Sequence, residues 1–379
     1  MTEDTSLALA ELRSRVSTSL DQAQALPPWV YTNPQYFDLE QDKVFGAAWI
    51  CAGRADALAN TGDFLATTVA GEPVIIVRAE DGELNALSNV CRHRMSTLLQ
   101  GRGNVRRIVC PYHAWTYDLD GSLRAAPVMD ANATFCADAI RLPAIRCELW
   151  EGWIFLTLDR DAPPPSETFA DLATSIQDYA MGGYVETFRE EMIWEGNWKL
   201  VAENFMESYH LPVCHRGTVG GSVALRTLEE SMLRDGYNYH CLLRDADNPL
   251  TTAHPNNTRL QGDARRTTWV IALYPSLMIT LSPGYFWYLC FAPEGPSRVR
   301  LLFGGGMAPE FASDPDSQDI LEQARALTAA VLAEDRLCVE RVYQGLQSRL
   351  AEPGPLSHLE SGNHHFAQWV VNRVSGSQG

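Results

Sequence analysis

Val90-Cys91-Arg92-His93-Arg94 and, after a spacer of sixteen residues beyond His93, Cys110-Pro111-Tyr112-His113-Ala114-Trp115 decide how the first half of this chain is read. The pattern C-x-H-x16-C-x2-H places two thiols and two imidazoles as tight pairs on two loops, which is metal-site spacing. Zinc fingers usually pair Cys with Cys and His with His. Here each pair mixes one thiol with one imidazole. Mixed pairs let one iron of a [2Fe–2S] cluster take both thiolates while the other takes both imidazoles, so Cys91, His93, Cys110 and His113 are the candidate cluster ligands.

Short strand signals surround these loops: Trp49–Gly53, Phe64–Val69, Pro73–Arg78, a turn at Asp81-Gly82, and Gly152–Leu156. They predict a small all-β domain over residues 44–160, closed by the charge cluster and polyproline run Asp159–Ser166. Residues 1–43 hold one amphipathic helical pattern (Leu7–Leu20) and an extended Leu26-Pro27-Pro28-Trp29, a lead-in that packs with the second domain, 161–379. There, helical patterns at Phe169–Met181, Asn197–Leu211 and Asp316–Leu350 flank a strand-rich middle of about 232–308. The expected class is α+β, with an antiparallel sheet and flanking helices in the second domain.

The chain has 379 residues and a net charge of −17, a field that repels phosphate backbones and anionic lipid and argues against nucleic acid or a membrane as partner. Segment 91–113 is the exception, with Arg92, Arg94, Arg102, Arg106 and Arg107 and no acid. It is the expected landing place of an acidic electron donor. The acidic start Met1–Thr5 is unlike a secretory signal, and nine scattered cysteines suit reduced thiols, so a cytoplasmic location is expected. Trp269–Pro293 carries no charge for 25 positions, but Pro275, Pro283 and Gly284 break it into buried strands rather than a membrane span.

The second constellation is Asn197-Trp198-Lys199-Leu200-Val201-Ala202-Glu203-Asn204-Phe205-Met206-Glu207-Ser208-Tyr209-His210-Leu211-Pro212-Val213-Cys214-His215. A helix capped by Asn197 puts Glu203, Glu207 and His210 on one face, and Pro212 ends it. His215 then converges with His210 only if the chain leaves the helix between them. Two converging histidines and one distant carboxylate make the facial triad of a non-haem Fe(II) site with open positions. The carboxylate is offered by the Ala329–Leu350 helix as Glu334 or Asp335, which spacing does not separate.

With both constellations in view, the chain resembles the large (α) subunit of the Rieske non-haem iron ring-hydroxylating oxygenases over nearly its whole length, from Leu26–Thr32 to the Glu334–Ser348 helix. Among these its length resembles that of the single-type-subunit carnitine, betaine and choline monooxygenases, and Glu207, where many ring dioxygenases carry Asp, resembles the carnitine branch. The resemblance implies a Rieske cluster on Cys91, His93, Cys110 and His113, mononuclear iron on His210, His215 and Asp335, and Glu207 as the acid bridging two metal sites across subunits. Asn204 matches an asparagine near the iron. A homotrimer is implied, with a small β subunit as an option. Three departures leave every ligand in place: Ala114 and Met95 occupy positions where the family usually or often has Gly, and Tyr343 one where Gln is common.

No Gly-rich nucleotide-binding turn and no second ferredoxin-type Cys set are present, so NAD(P)H electrons are expected through a separate ferredoxin or flavin-containing reductase. The expected reaction uses O2 to hydroxylate a small molecule at a C–H next to nitrogen in a betaine or other N-methyl or quaternary ammonium compound, by monooxygenation or N-demethylation. Tyr285, Phe286, Trp287 and Tyr288 are candidates for a cation cage, unless they simply alternate on a core strand. Ring hydroxylation or dihydroxylation of an aromatic acid is the alternative, and a non-enzymatic Rieske electron carrier is the reading furthest from the motifs. His364-His365 are read as packing or helix surface because adjacent side chains point apart.

Overall fold

The computed structural model describes residues 3–220, 232–244 and 251–376. It divides into two compact units, one of Phe45–Pro165 and one combining Met1–Val44 with Ser166–Gly379. Mixed helix and antiparallel sheet make the fold class α+β.

In the smaller unit, β1 (Ile50–Arg54), β2 (Asp63–Val69), β3 (Glu72–Arg78), β4 (Leu84–Ser88), β5 (Arg102–Asn104), β9 (Ala144–Trp150) and β10 (Trp153–Thr157) form one sheet in the order β1-β10-β9-β4-β3-β2-β5. A second sheet has the order β6 (Ile108–Val109), β7 (Thr116–Tyr117), β8 (Leu123–Ala125). The two metal-motif loops precede Trp115 and follow β4, and both cysteines belong to the core: Cys91 and Cys110 pack with Ile75, Val77, Leu87, Ile108, Trp115 and Tyr117. β3 supplies the centre of that core because Val74, Ile75, Ile76 and Val77 are all wholly buried, a β-branched run covered on both faces.

The larger unit is built on a seven-stranded antiparallel sheet, order β11 (Val185–Glu195), β17 (Arg298–Met307), β16 (Tyr285–Gly295), β15 (Leu277–Leu281), β14 (Thr267–Leu273), β13 (Tyr237–Leu243), β12 (Met232–Arg234). The charge-free stretch is β14, β15 and most of β16, so it is sheet core. No helix among the described residues is long and apolar enough to cross a membrane.

Helices α1 (Glu3–Val16), α2 (Trp29–Thr32) and α3 (Pro34–Glu40) come from the lead-in, and α4 (Pro165–Thr168) and α5 (Ala170–Ile176) open the second stretch. They are followed by α6 (Trp198–Met206), α7 (Leu211–Cys214), α8 (Pro309–Ala312), α9 (Gln318–Gly345) and α10 (Ser361–Val374).

A buried ion pair ties the lead-in to α6. Lys199 Nζ lies 2.6 Å from Glu40 Oε1, both side chains are wholly buried, and Trp198 Nε1 donates to Glu40 Oε2 at 2.9 Å. Burial pushes Glu40 up and Lys199 down, and their mutual attraction opposes both shifts. The Lys199 ammonium also sits over the rings of Tyr31, Tyr36 and Trp198. Removing either partner would strand the other charge, so the pair fixes where α6 begins.

Candidate metal centres and active site

The two cluster loops are built alike. Cys91 N donates to Ser96 O and Met95 N to Cys91 O, while Cys110 N donates to Trp115 O and Ala114 N to Cys110 O. In each loop the fourth residue after the cysteine turns left-handed, φ 53° at Met95 and 58° at Ala114. A Cβ is disfavoured there, which accounts for the Gly usual or frequent at these positions in the family that the chain resembles.

The loops bring His93 and His113 to a ring separation of 4.8 Å, with His93 stacked on Trp115. The Tyr117 hydroxyl lies 3.3 Å from Cys91 Sγ and accepts from Arg92 N at 3.0 Å. At Cys110, burial pushes the thiol up, but the backbone N–H groups of Tyr112 and His113 aimed at the sulfur outweigh it and hold the thiol below its ordinary value. His93 Nδ1 is buried with no hydrogen-bond partner, an orphan that a metal ion would satisfy. Two buried sulfurs, that of Cys110 held toward its thiolate form, and an unpaired imidazole nitrogen fit a cluster with mixed ligands. The arginine-rich segment is not uniformly free: Arg107 pairs with Asp118 at 2.9 Å, and Arg94 covers the Tyr112 ring. Arg92 and Arg94, both exposed, remain beside exposed His113.

In the larger unit, α6 stops at Met206, five residues short of the expected end, and Glu207 is its C-terminal cap in an extended conformation. The early end of α6 has a simple cause. Once Glu207 turns back to accept from Tyr209 N and His210 N, the helical hydrogen bonds of that turn are replaced. Pro212 does not end a helix; it sits in the first turn of α7, where its missing N–H costs nothing. His210 and His215 then bracket α7 at its two ends. Glu203, expected on the face shared with Glu207, instead accepts from Tyr31 Oη at 2.8 Å, and burial pushes its carboxyl up to about 7.

The break lets the imidazoles converge. His210 Nε2 and His215 Nε2 are 3.1 Å apart, and Asp335 Oδ1 on α9 lies 2.9 Å from His215 Nε2 and 3.5 Å from His210 Nε2. Donors on one face of an octahedron with bonds of about 2.1 Å stand about 3 Å apart, so the set fits a facial triad. Asp335 Oδ1 is buried and makes a proper hydrogen bond to neither imidazole, consistent with lone pairs aimed at a shared point. Burial alone would lower His210, yet Asp335 and Glu207 hold it up to about 10, and the same imidazoles hold Asp335 below its usual range against burial. That electrostatic demand for positive charge is what a dication would meet.

The outer nitrogens are also held. Glu207 Oε1 is 2.5 Å from His210 Nδ1, and Glu334 Oε2 is 2.8 Å from His215 Nδ1 and 2.6 Å from Thr218 Oγ1. Each imidazole thus presents Nε2 inward because a carboxylate takes its other N–H. The structure separates the two acids that spacing left equal: Asp335 faces the triad, and Glu334 supports it.

A cavity of about 200 Å³ opens beside the triad. It is lined by Asn204, Phe205, His240, Arg244, Tyr285 and Trp287 among others, so Asn204 is on the wall. Of the four aromatics on β16, Tyr285 and Trp287 face the cavity, whereas Phe286 packs on Tyr184 and the Tyr288 hydroxyl donates to Glu186 on the other side. Strand alternation therefore divides the expected cage in half. Phe205 meets Trp287 edge-on at 5.5 Å and completes an aromatic corner. His240 and Arg244 carried no sequence signal, since each lies on or beside β13 without a partner motif. Burial lowers His240 to about 4, keeping it neutral in the wall. His364 and His365 are packing residues: His364 Nε2 lies 2.8 Å from Thr18 O, and His365 Nδ1 lies 3.0 Å from Tyr274 Oη.

Residues 48–140 match the Rieske [2Fe-2S] domain family, and residues 176–376 match the ring hydroxylating alpha subunit (catalytic domain) family. A chloroplastic choline monooxygenase of Arabidopsis thaliana is 26% identical over 359 residues, covering 92% of this chain and 82% of its own. The carnitine monooxygenase oxygenase subunit of Acinetobacter baumannii is 28% identical over 362 residues, 90% of each chain. A naphthalene 1,2-dioxygenase from Rhodococcus sp., solved with indole, shares the fold at TM-score 0.83 and 19% identity over 100% of both chains.

Proposed function

Because this chain belongs to the ring-hydroxylating oxygenase α-subunit family and carries a Rieske domain, an oxygenase in which cluster and mononuclear iron act together, we propose that its substrate is a quaternary ammonium or N-methyl compound. The observation that carries this is the cavity wall: Phe205, Tyr285 and Trp287 place three aromatic rings in it, a lining that suits a cation, and Arg244 places a guanidinium there. A betaine with a carboxylate at its far end satisfies both. The relatives named for choline and carnitine support the same chemical class.

When bound, the cluster would supply one-electron chemistry and the Fe(II) an open site for dioxygen chemistry. The chain's residues do the rest. Cys91, His93, Cys110 and His113 would hold the cluster, and His210, His215 and Asp335 the iron. Glu207 and Glu334 orient the two imidazoles. Phe205 and Trp287 exclude water and hold a methyl group toward the triad. Insertion of one oxygen atom into the N-methyl C–H, with the second atom leaving as water, gives a hemiaminal that releases formaldehyde.

In this reading the donor is a ferredoxin or flavin-containing reductase that passes on NAD(P)H electrons and docks near Arg92 and Arg94. Exposed His113 meets Glu207 of a neighbouring subunit in a homotrimer, with or without a small β subunit. Glu207→Gln should then keep both metals bound while turnover falls at least about 10–100-fold.

Anaerobic reconstitution should give about three irons per chain and a Rieske signal. Oxygen uptake across a substrate panel should be matched by formaldehyde from betaines, with carboxylated substrates weakened when Arg244 becomes Gln. Hydroxylation of aromatic acids alone would overturn the substrate class. Zinc without a Rieske signal would overturn the whole reading.

A further inference from the structure

Cys214 closes α7 next to His215, and Cys338 lies one helical turn beyond Asp335 on α9. Their sulfurs are 2.7 Å apart across a sequence separation of 124 residues. Two sulfurs not bonded to each other normally rest much further apart, so these thiols are held face to face by the packing of α7 on α9. Both are only partly buried, unlike Cys51 and Cys290, so a small oxidant has a route to them. The elements they join are the two that carry the iron-site residues: α7 is bracketed by His210 and His215, and α9 bears Glu334 and Asp335.

We propose that Cys214 and Cys338 are a redox-reactive dithiol that hydrogen peroxide, the two-electron reduction product of dioxygen, closes to a disulfide clamping α7 to α9. One sulfur attacks peroxide, breaking the O–O bond; it becomes a sulfenic acid and water leaves. The second sulfur displaces the sulfenic oxygen as water, and the S–S bond forms. In sum, two thiols and one H2O2 give one disulfide and two waters, with two electrons passing from sulfur to oxygen. An oxygenase that spends electrons on dioxygen without a substrate in place is itself a source of peroxide, so the oxidant arises next to the pair.

The clamp crosses the same seam that the metal crosses. It therefore keeps His210, His215 and Asp335 assembled when iron is being lost, and it does so over a chain loop long enough for a single disulfide to matter. This consequence and the local source of peroxide rest on the iron-site reading above, whereas formation of the bond by added peroxide does not.

The test treats the reconstituted holoenzyme, free of reductant, with equimolar hydrogen peroxide, alkylates the remaining thiols and maps peptides by mass spectrometry without reduction. The expected result is a cross-link between the peptides of Cys214 and Cys338, removed by dithiothreitol and absent in Cys338→Ser. Both thiols alkylated while exposed Cys136 is oxidised would overturn the proposal. On the cross-linked protein, release of the mononuclear iron to a chelator should slow several-fold relative to the reduced protein and to Cys338→Ser. A cross-link with unchanged iron release would overturn the clamp, and a preparation holding no mononuclear iron would instead count against the metal assignment.

Discussion

At the scale of single residues, the cluster loops show local conformation yielding to the site. Met95 and Ala114 both hold positive φ because the loop must return its N–H to the preceding cysteine's carbonyl. An alanine there is strained by roughly 1–2 kcal/mol relative to glycine, partly offset by the greater freedom glycine has in the unfolded chain. Ala114→Gly should therefore stabilise the smaller unit by about 1 kcal/mol, read as a higher melting midpoint in the cluster's visible absorbance. A lower midpoint would show that the loop is not strained. The same scale separates Glu334 from Asp335. Adjacent residues on a helix point about 100° apart, so one carboxylate reaches the triad and its neighbour reaches the outer nitrogen of His215. Glu334→Gln keeps a polar atom near His215 but loses the charge, and mononuclear iron affinity should fall about 10-fold by metal titration, with the cluster spectrum unchanged.

At the scale of elements, the decisive event is the break between α6 and α7. A continuous helix would carry His210 and His215 to different sides; Glu207 capping α6 and Pro212 opening α7 bring them to the same point. The sheet makes a comparable concession. On β17, Gly304, Gly305 and Gly306 face the aromatics of β16 in register, Trp287 opposite Gly305. A Cβ on Gly305 would lie 2.6 Å from the Phe188 ring and 3.0 Å from Tyr285 Oη. The glycines exist to admit those rings. Gly305→Ala should push Tyr285 toward the cavity, raising KM for substrate several-fold while leaving both metals bound; an unchanged KM would separate β17 from the pocket.

For the whole molecule, titration is coupled to stability through the lead-in. Glu203 has an ordinary value of 4.5 and is held up to about 7 by burial, so between those values the folded state binds more protons than the unfolded. Its contribution is fully present below about pH 4.5 and is lost as pH rises through about 7. Glu203→Gln should flatten this part of the stability profile and gain about 2–3 kcal/mol at pH 8, measured by denaturant unfolding at pH 5 and 8. Parallel profiles for both proteins would refute the assignment. Much of this architecture was legible beforehand, because a cluster motif and strand alternation are local, and side-chain chemistry at fixed spacing survives whatever the rest of the chain does. By itself the sequence determined the cluster ligands as candidates, the two-histidine segment, the buried character of Trp269–Pro293 and the α+β class. Spacing left Asp335 and Glu334 equal and the resemblance implied Asp335, which the tertiary structure brings to the histidines; only that structure decided that α6 ends before Glu207, that half of the β16 aromatics line the cavity, and that His240 and Arg244 join them. The direction of Asp335 and the placing of His240 and Arg244 in the wall depend on partners tens to more than a hundred residues away, whereas the end of α6 turns on the local choice of Glu207 to accept from Tyr209 N and His210 N. Long-range packing sets such directions, and no local spacing records them.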